Sequence, residues 1–155
     1  VEESLAYWPQ LMKPNIPLGS PACIHADNDW MKGFMIKIEE KGYRVDFICV
    51  HWYGGANAQS LIDHLKSIHD LYQRPIWLTE FAPADWNALS PATSKVTVAQ
   101  ALVFMQQILP ALEKTDYVER YSWYSSSPDN AALGNSALFD NAGNLTLLGD
   151  YYSKF

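Results

Sequence analysis

The sequence is poor in cysteine and in charge. Its two cysteines, Cys23 and Cys49, cannot form a disulfide framework or a four-ligand metal site, and their spacing matches no zinc pattern. Both read as buried thiols, the usual state of a free cysteine. Charged residues are only 18% of the 155, with a net charge of -6, so the basic footprint of a nucleic-acid binder is missing. No run of some 18 apolar residues occurs, and nothing resembles a signal peptide with its basic start and apolar middle, so no membrane-spanning helix is expected. No glycine-rich phosphate loop follows any apparent strand, which excludes a P-loop and a dinucleotide fold. Ser125, Ser126 and Ser127 have no adjacent base and form no nucleophile elbow. No cofactor and no metal is expected.

What the chain does have is apolar and aromatic bulk. Hydrophobic residues make up 48%, enough for a real core in one domain spanning residues 1–155. Six Trp and nine Tyr are more flat amphipathic rings than a core alone requires, and such rings commonly face sugars or partner surfaces.

Hydrophobic period and turn residues give the order of elements. Leu5, Trp8 and Met12 repeat at helical spacing and stop at Pro14, and "IPLGSPACI" (Ile16 to Ile24) reads as a short buried strand. Asp27 and Asp29 can cap a helix that carries Trp30, Phe34 and Ile38 and ends at Gly42; "VDFICVHWY" (Val45 to Tyr53) follows as a strand. Leu61, Leu65, Ile68 and Tyr72 mark a third helix before "IWLTEF", and Val98, Leu102, Met105, Leu109 and Leu112 mark a fourth before "YVERYSWY" (Tyr117 to Tyr124). "LFDNAGNLTLL" (Leu138 to Leu148) has the alternation and turn of a small hairpin.

Four helix-to-strand units with strands too apolar to face water predict α/β architecture, parallel strands covered by helices. The matching architecture is the (β/α)8 TIM barrel, but 155 residues fall well short of the roughly 250 that it needs. The expectation is therefore the C-terminal half of such a barrel, about four αβ units plus the hairpin. In a barrel the chemistry sits at the C-terminal strand ends, and there Glu80 ends an otherwise apolar strand. The period of two sets Ile76 and Leu78 beneath Glu80 inside the barrel and turns Trp77 and Thr79 to the helices. A carboxylate over an apolar floor is costly without a task or a partner. Phe47, Cys49, His51 and Tyr53 share a face on the preceding strand, and Glu119, Tyr121 and Trp123 on the last. A carboxylate, an imidazole, a phenol and an indole from strand ends would make a sugar-cleaving floor.

The stretches "VDFICVHWYGG", "RPIWLTEFA", "VERYSWY" and "SALFDNAGNLTLLGDYY" together resemble the C-terminal part of the Asl1-like glycosyl hydrolase domain, glycoside hydrolase family 128. The resemblance covers nearly the whole chain from about Leu5. It implies a (β/α)8 barrel, retaining endo-β-1,3-glucanase activity on β-1,3-glucan, and an extracellular or cell-wall location. It implies Glu80 as nucleophile, with His51, Tyr53 and Trp123 around the sugar at the cleavage point. Trp52 and Tyr124 complete the substrate-binding set, although their parity turns them from that floor. The acid/base glutamate of the family stands in an Asn-Glu-Pro stretch that this sequence lacks. Asp46, Asp85 and Glu119 are poorly placed to replace it: Asp46 by parity, Asp85 in a loop, Glu119 at the strand's far end.

The expected partner is accordingly the N-terminal half of the barrel, on another chain or segment, with a self-paired dimer of half-barrels as the alternative. A glucan-binding protein that does not cut remains the competing function. For Glu80 the bland alternative is an ion pair with Arg120. His64 and His69 read as solvated helix-face residues, and Asn144-Leu-Thr146 is a glycosylation sequon that matters only in a secreted protein.

Overall fold

The computed structural model describes every residue from Val1 to Phe155. Its elements are α1 (Glu2–Leu11), α2 (Asp29–Glu40), β1 (Ile48–Trp52), α3 (Ala58–Tyr72), β2 (Ile76–Phe81), α4 (Val98–Glu113), β3 (Val118–Trp123) and α5 (Leu147–Tyr152). The three strands pair in parallel in chain order, β1 with β2 and β2 with β3. Parallel neighbours require crossover connections, which α3 and α4 supply.

Local chemistry explains the helix limits. Asn57 and Thr97 cap α3 and α4 by accepting from Ser60 N and Gln100 N, and Gln100 returns the bond to Thr97 N as a capping box. Asn28, rather than Asp27 or Asp29, caps α2 through Met31 N at 2.8 Å. The end of α2 uses Gly42 at φ +62°, where a side chain would be strained, and closes with Tyr43 N donating to Ile38 O.

The apolar stripes of α2, α3 and α4 lie on one face of the sheet. Ile48 and Val50 of β1, Ile76, Leu78 and Phe81 of β2 and Trp123 of β3 join Phe34, Leu65, Phe104 and Ile108 in one buried cluster. The parity expected for β2 is therefore reversed below Glu80: Ile76 and Leu78 are fully buried toward the helices. Trp77 stands on the other face, stacked on Phe47 with ring centroids 3.8 Å apart.

The cause is a β-bulge. Val50 pairs with Leu78 but His51 pairs with Glu80, and on the other side Leu78 pairs with Tyr121 but Phe81 with Trp123. Thr79 is thus one residue too many for both neighbouring strands. A bulge of this kind resets which way the following side chains point. Residues before it obey one alternation and Glu80 obeys another.

Two further expectations fail for physical reasons. The segment Ile16 to Ile24 runs beside β1 but forms only isolated parallel bridges, Gly19 with Phe47 and Cys23 with Val50. Pro17 and Pro21 bring no N–H, and the ladder is patched by side chains: Leu18 N donates to Asp46 Oδ2 and Cys49 N to Ser20 Oγ. The hairpin over Leu138 to Leu148 shrinks to one antiparallel bridge, Phe139 with Leu145. Thr146 Oγ1 accepts from Gly149 N and starts α5 instead, and Leu148 packs into the core.

The sheet face away from the helices is mixed in character, not the apolar one expected. Arg120 and Ser122 are exposed on β3, Cys49, His51 and Trp77 are half-buried, and the Arg120 guanidinium lies 4.8 Å over the Trp77 ring.

Leu78→Ala tests the assignment of faces. A fully buried leucine facing the helices should lose about 2–5 kcal/mol of stability in urea unfolding; a loss below about 1 kcal/mol would place it on the open face.

Candidate functional site

Glu80 is delivered to the open face by the bulge, one strand over from His51. Beyond β1, Tyr53 continues the alternation of Cys49 and His51, and beyond β3, Tyr124 continues that of Arg120 and Ser122. The Tyr53 hydroxyl donates to Glu80 Oε2 at 2.5 Å, and His51 Nδ1 stands 3.5 Å from the same oxygen. Glu80 Oε1 has no hydrogen-bond partner in the protein, and the side chain is 39% exposed. One carboxylate oxygen is held and the other is presented to solvent.

The clamp on Glu80 is itself braced. The Tyr53 ring meets Tyr124 edge-on at 5.5 Å and Trp86 at 6.0 Å, and Trp86 Nε1 donates to Tyr53 O at 3.0 Å. Asp85 pins the loop that carries Trp86, accepting from Asn87 N and Lys95 N, and these bonds hold its carboxyl below the usual range. Burial first, and then the bond to the Glu80 carboxylate, push the Tyr53 hydroxyl well above the ordinary tyrosine range. Gly54 has no room for a side chain, because a Cβ there would lie 2.4 Å from the Trp52 ring.

His51, Tyr53 and Glu80 are brought together as expected from the sequence. The positions of the two aromatic residues on the third strand are exchanged. Trp123 is only 5% exposed, packs on Phe81 and Phe104, and gives its Nε1 hydrogen to Ser136 O. Tyr124, expected to turn away, stands against Tyr53. Trp52 stacks on Phe104 at 5.5 Å and lines the edge of a cavity beside Tyr53. Trp86 was not anticipated; an exposed tryptophan six residues past Glu80 in a proline-bearing loop was the available signal. Arg120 makes no ion pair with Glu80.

The three other carboxylates have structural tasks. Asp46 pairs with Arg44 at 2.8 Å and binds Leu18 N, Asp85 closes its loop, and Glu119 accepts from Trp77 Nε1 at 3.0 Å. None is bonded to Glu80 or its clamp.

A parallel α/β sheet carrying one clamped carboxylate among aromatic side chains at its C-terminal strand ends has its candidate site where α/β enzymes place theirs. The chain belongs to the glycosyl hydrolase catalytic core family, whose model matches residues 1–152. It is 34% identical over 137 residues to alkali-sensitive linkage protein 1 of Schizosaccharomyces pombe, covering 87% of this chain and 24% of that protein. Among solved structures, a family 128 subgroup I endo-β-1,3-glucanase from Amycolatopsis mediterranei in complex with laminarihexaose superposes with TM-score 0.83 at 32% identity, over 99% of this chain and 64% of that one. A subgroup V exo-β-1,3-glucanase from Cryptococcus neoformans gives TM-score 0.79 at 29% identity, over 97% of this chain and 61% of that one. The chain thus spans a quarter of the curated relative and less than two thirds of these solved neighbours.

The Tyr53 clamp has a pH signature. A hydroxyl whose folded pKa is raised contributes stability that is complete below the unfolded tyrosine value of about 10 and is lost as pH rises toward the folded value. The difference between the unfolding midpoints of wild type and Tyr53→Phe should therefore hold up to about pH 9 and shrink above about pH 10, with wild type losing more; parallel losses would show that the clamp does not perturb Tyr53.

Proposed function

We propose that this chain forms the nucleophile-bearing part of a retaining endo-β-1,3-glucanase. The observation that carries the reading is the asymmetry of Glu80: Oε2 accepts from Tyr53, while Oε1 is free and exposed at the strand ends. The substrate class is supported by the glucanase neighbours and their laminari-oligosaccharide complexes, and endo action by the somewhat higher identity to the endo-acting subgroup I enzyme.

In this reading Glu80 Oε1 attacks the anomeric carbon as the bond to the leaving oxygen breaks, and that oxygen takes a proton from a second carboxylic acid. Water then attacks the same carbon, gives a proton to the second carboxylate, and releases Glu80. Retaining enzymes need the two carboxyl groups about 5–5.5 Å apart. Tyr53 and His51 position Glu80, Tyr53 by donating its hydroxyl hydrogen to Oε2. Tyr53 and Tyr124 offer ring surface to the sugar, and Trp52 and Trp123 support them from behind.

The second carboxyl group is supplied by the N-terminal half of the barrel, as a further segment or a separate chain. Two features support this. The other carboxylates near the sheet are occupied structurally, and β3 ends the sheet, paired only with β2, so its outer edge is open to a further strand. A half-barrel pairing with its own copy would also close the sheet. The structural engagement of Asp46, Asp85 and Glu119 favours a second reading for this chain by itself: it holds glucan without cutting it.

In the protein carrying both halves, Glu80→Gln should keep the fold and glucan binding while turnover drops by several orders of magnitude. Activity within about tenfold of wild type would exclude Glu80 as nucleophile. This chain alone should release no reducing ends from laminarin and should sediment with a partner or as a dimer; a well-folded 17.5 kDa monomer would contradict the half-barrel.

A further inference from the structure

The connection from β2 to α4, residues 82–97, brings Trp86 to the Tyr53 clamp, and its one regular piece is a short turn of 3-10 helix, Pro91–Thr93. A connection of this length holds a fixed shape only where other parts of the fold tie it down. Its start is tied by backbone bonds to the end of β1, Ala82 N donating to Trp52 O and Ala84 N to Gly54 O. The remaining ties come from the loop between β3 and α5. Asp85 N donates to Ala132 O, and the buried Ser136 hydroxyl donates to Pro83 O at 2.6 Å.

Asn135 makes the farthest-reaching of these ties. Its Nδ2 donates to Pro91 O and to Val96 O, each at 2.8 Å. Both partners are carbonyls, so only the amide NH2 can face them, and both of its hydrogens are used. Gly134 sets the approach, because a side chain there would collide with Pro128 O and the Pro91 ring. Holding Val96 holds its neighbour Lys95, whose N–H donates to Asp85 Oδ2 at 2.8 Å. Asp85 precedes Trp86, Trp86 Nε1 donates to Tyr53 O, and the Tyr53 hydroxyl donates to Glu80 Oε2. A continuous chain of bonded groups thus runs from Asn135 to the carboxylate, although Asn135 bonds neither Tyr53 nor Glu80.

We propose that Asn135 is a positioning residue for the reaction at Glu80, acting through the Asp85 loop and Trp86 to keep the Tyr53 clamp in place. The inference rests on the reading of Glu80 as nucleophile. The helix α4 starts from its own Thr97–Gln100 capping box and the three strands pair without the loop, so neither depends on this amide. Displacing a nucleophile by about 1 Å can cost on the order of a hundredfold in rate. The loss falls on kcat, because the attack is made only in the transition state.

The test is a double-mutant cycle in the protein carrying both halves. The kcat and KM on laminarin are measured for wild type, Asn135→Ala, Trp86→Ala and the pair, with circular dichroism to show that each is folded at the assay temperature. Asn135→Ala should lower kcat about tenfold and leave KM within about twofold, a split that a merely structural role would not produce. Trp86→Ala should lower kcat at least as much, and the pair should fall no more than about twofold below Trp86→Ala, because the brace is already gone. A folded Asn135→Ala protein with unchanged kcat, or losses that multiply in the pair, would overturn the positioning role and leave Glu80 as nucleophile. If Asn135→Ala does not fold, Asp85→Asn, which breaks the same chain one step nearer to Trp86, goes through the same cycle with the same two outcomes. A Glu80→Gln protein that still turns over glucan would overturn both readings.

Discussion

The extra residue at Thr79 is the constraint on which the site depends. Below it, β2 sends Ile76 and Leu78 into the helix-facing core; above it, the strand must return Phe81 to that core while turning Glu80 to the opposite face. A regular strand cannot do this, because its period of two would put Glu80 on the same side as Leu78, where a carboxylate would be buried among apolar helices. The bulge satisfies both demands in one step. The Thr79 hydroxyl, within 3.3 Å of Val50 O, ties the bulged residue back to β1.

With Glu80 on the open face, the rest of the site follows from its neighbours' parity. His51 and Tyr53 arrive from an unbroken alternation on β1, and the Tyr53 hydroxyl fixes one carboxylate oxygen. Tyr124 and Trp86 then brace the Tyr53 ring, and the Asp85 bonds fix the loop that holds Trp86. The aromatic abundance has two uses here. Trp52, Phe104 and Trp123 pack against one another and the core, while Tyr53 holds the carboxylate on the open face with Tyr124 and Trp86 against its ring.

Much of this was legible in the sequence. The four main helices, the three strands, the α/β class and the grouping of Glu80 with His51 and Tyr53 all follow from hydrophobic period and position. The bulge was not legible, because nothing in "IWLTEF" marks which residue is surplus; that depends on the pairing of both neighbouring strands. The same ignorance exchanged Trp123 and Tyr124, whose facing is set by an irregular pairing in which Glu119 has no partner between Ile76–Val118 and Trp77–Arg120. The first strand failed at prolines whose missing donors weigh more than apolar character, and the hairpin failed because Thr146 is a better helix cap than strand residue. His64 looked like a solvated helix position because the cavity that it lines beside Tyr53 is closed by residues distant in sequence.

Covalent trapping tests the central claim most directly. A 2-deoxy-2-fluoro laminaribiosyl donor with a good leaving group forms a glycosyl-enzyme ester readily, and that ester hydrolyses slowly, so protein that turns over glucan can be digested after treatment and the labelled peptide found by mass spectrometry. The label should fall on Glu80, in the peptide that contains Ile76 to Phe81, and be absent from Glu80→Gln. A label on any other carboxylate, with Glu80 unmodified in a protein that still turns over glucan, would contradict the account.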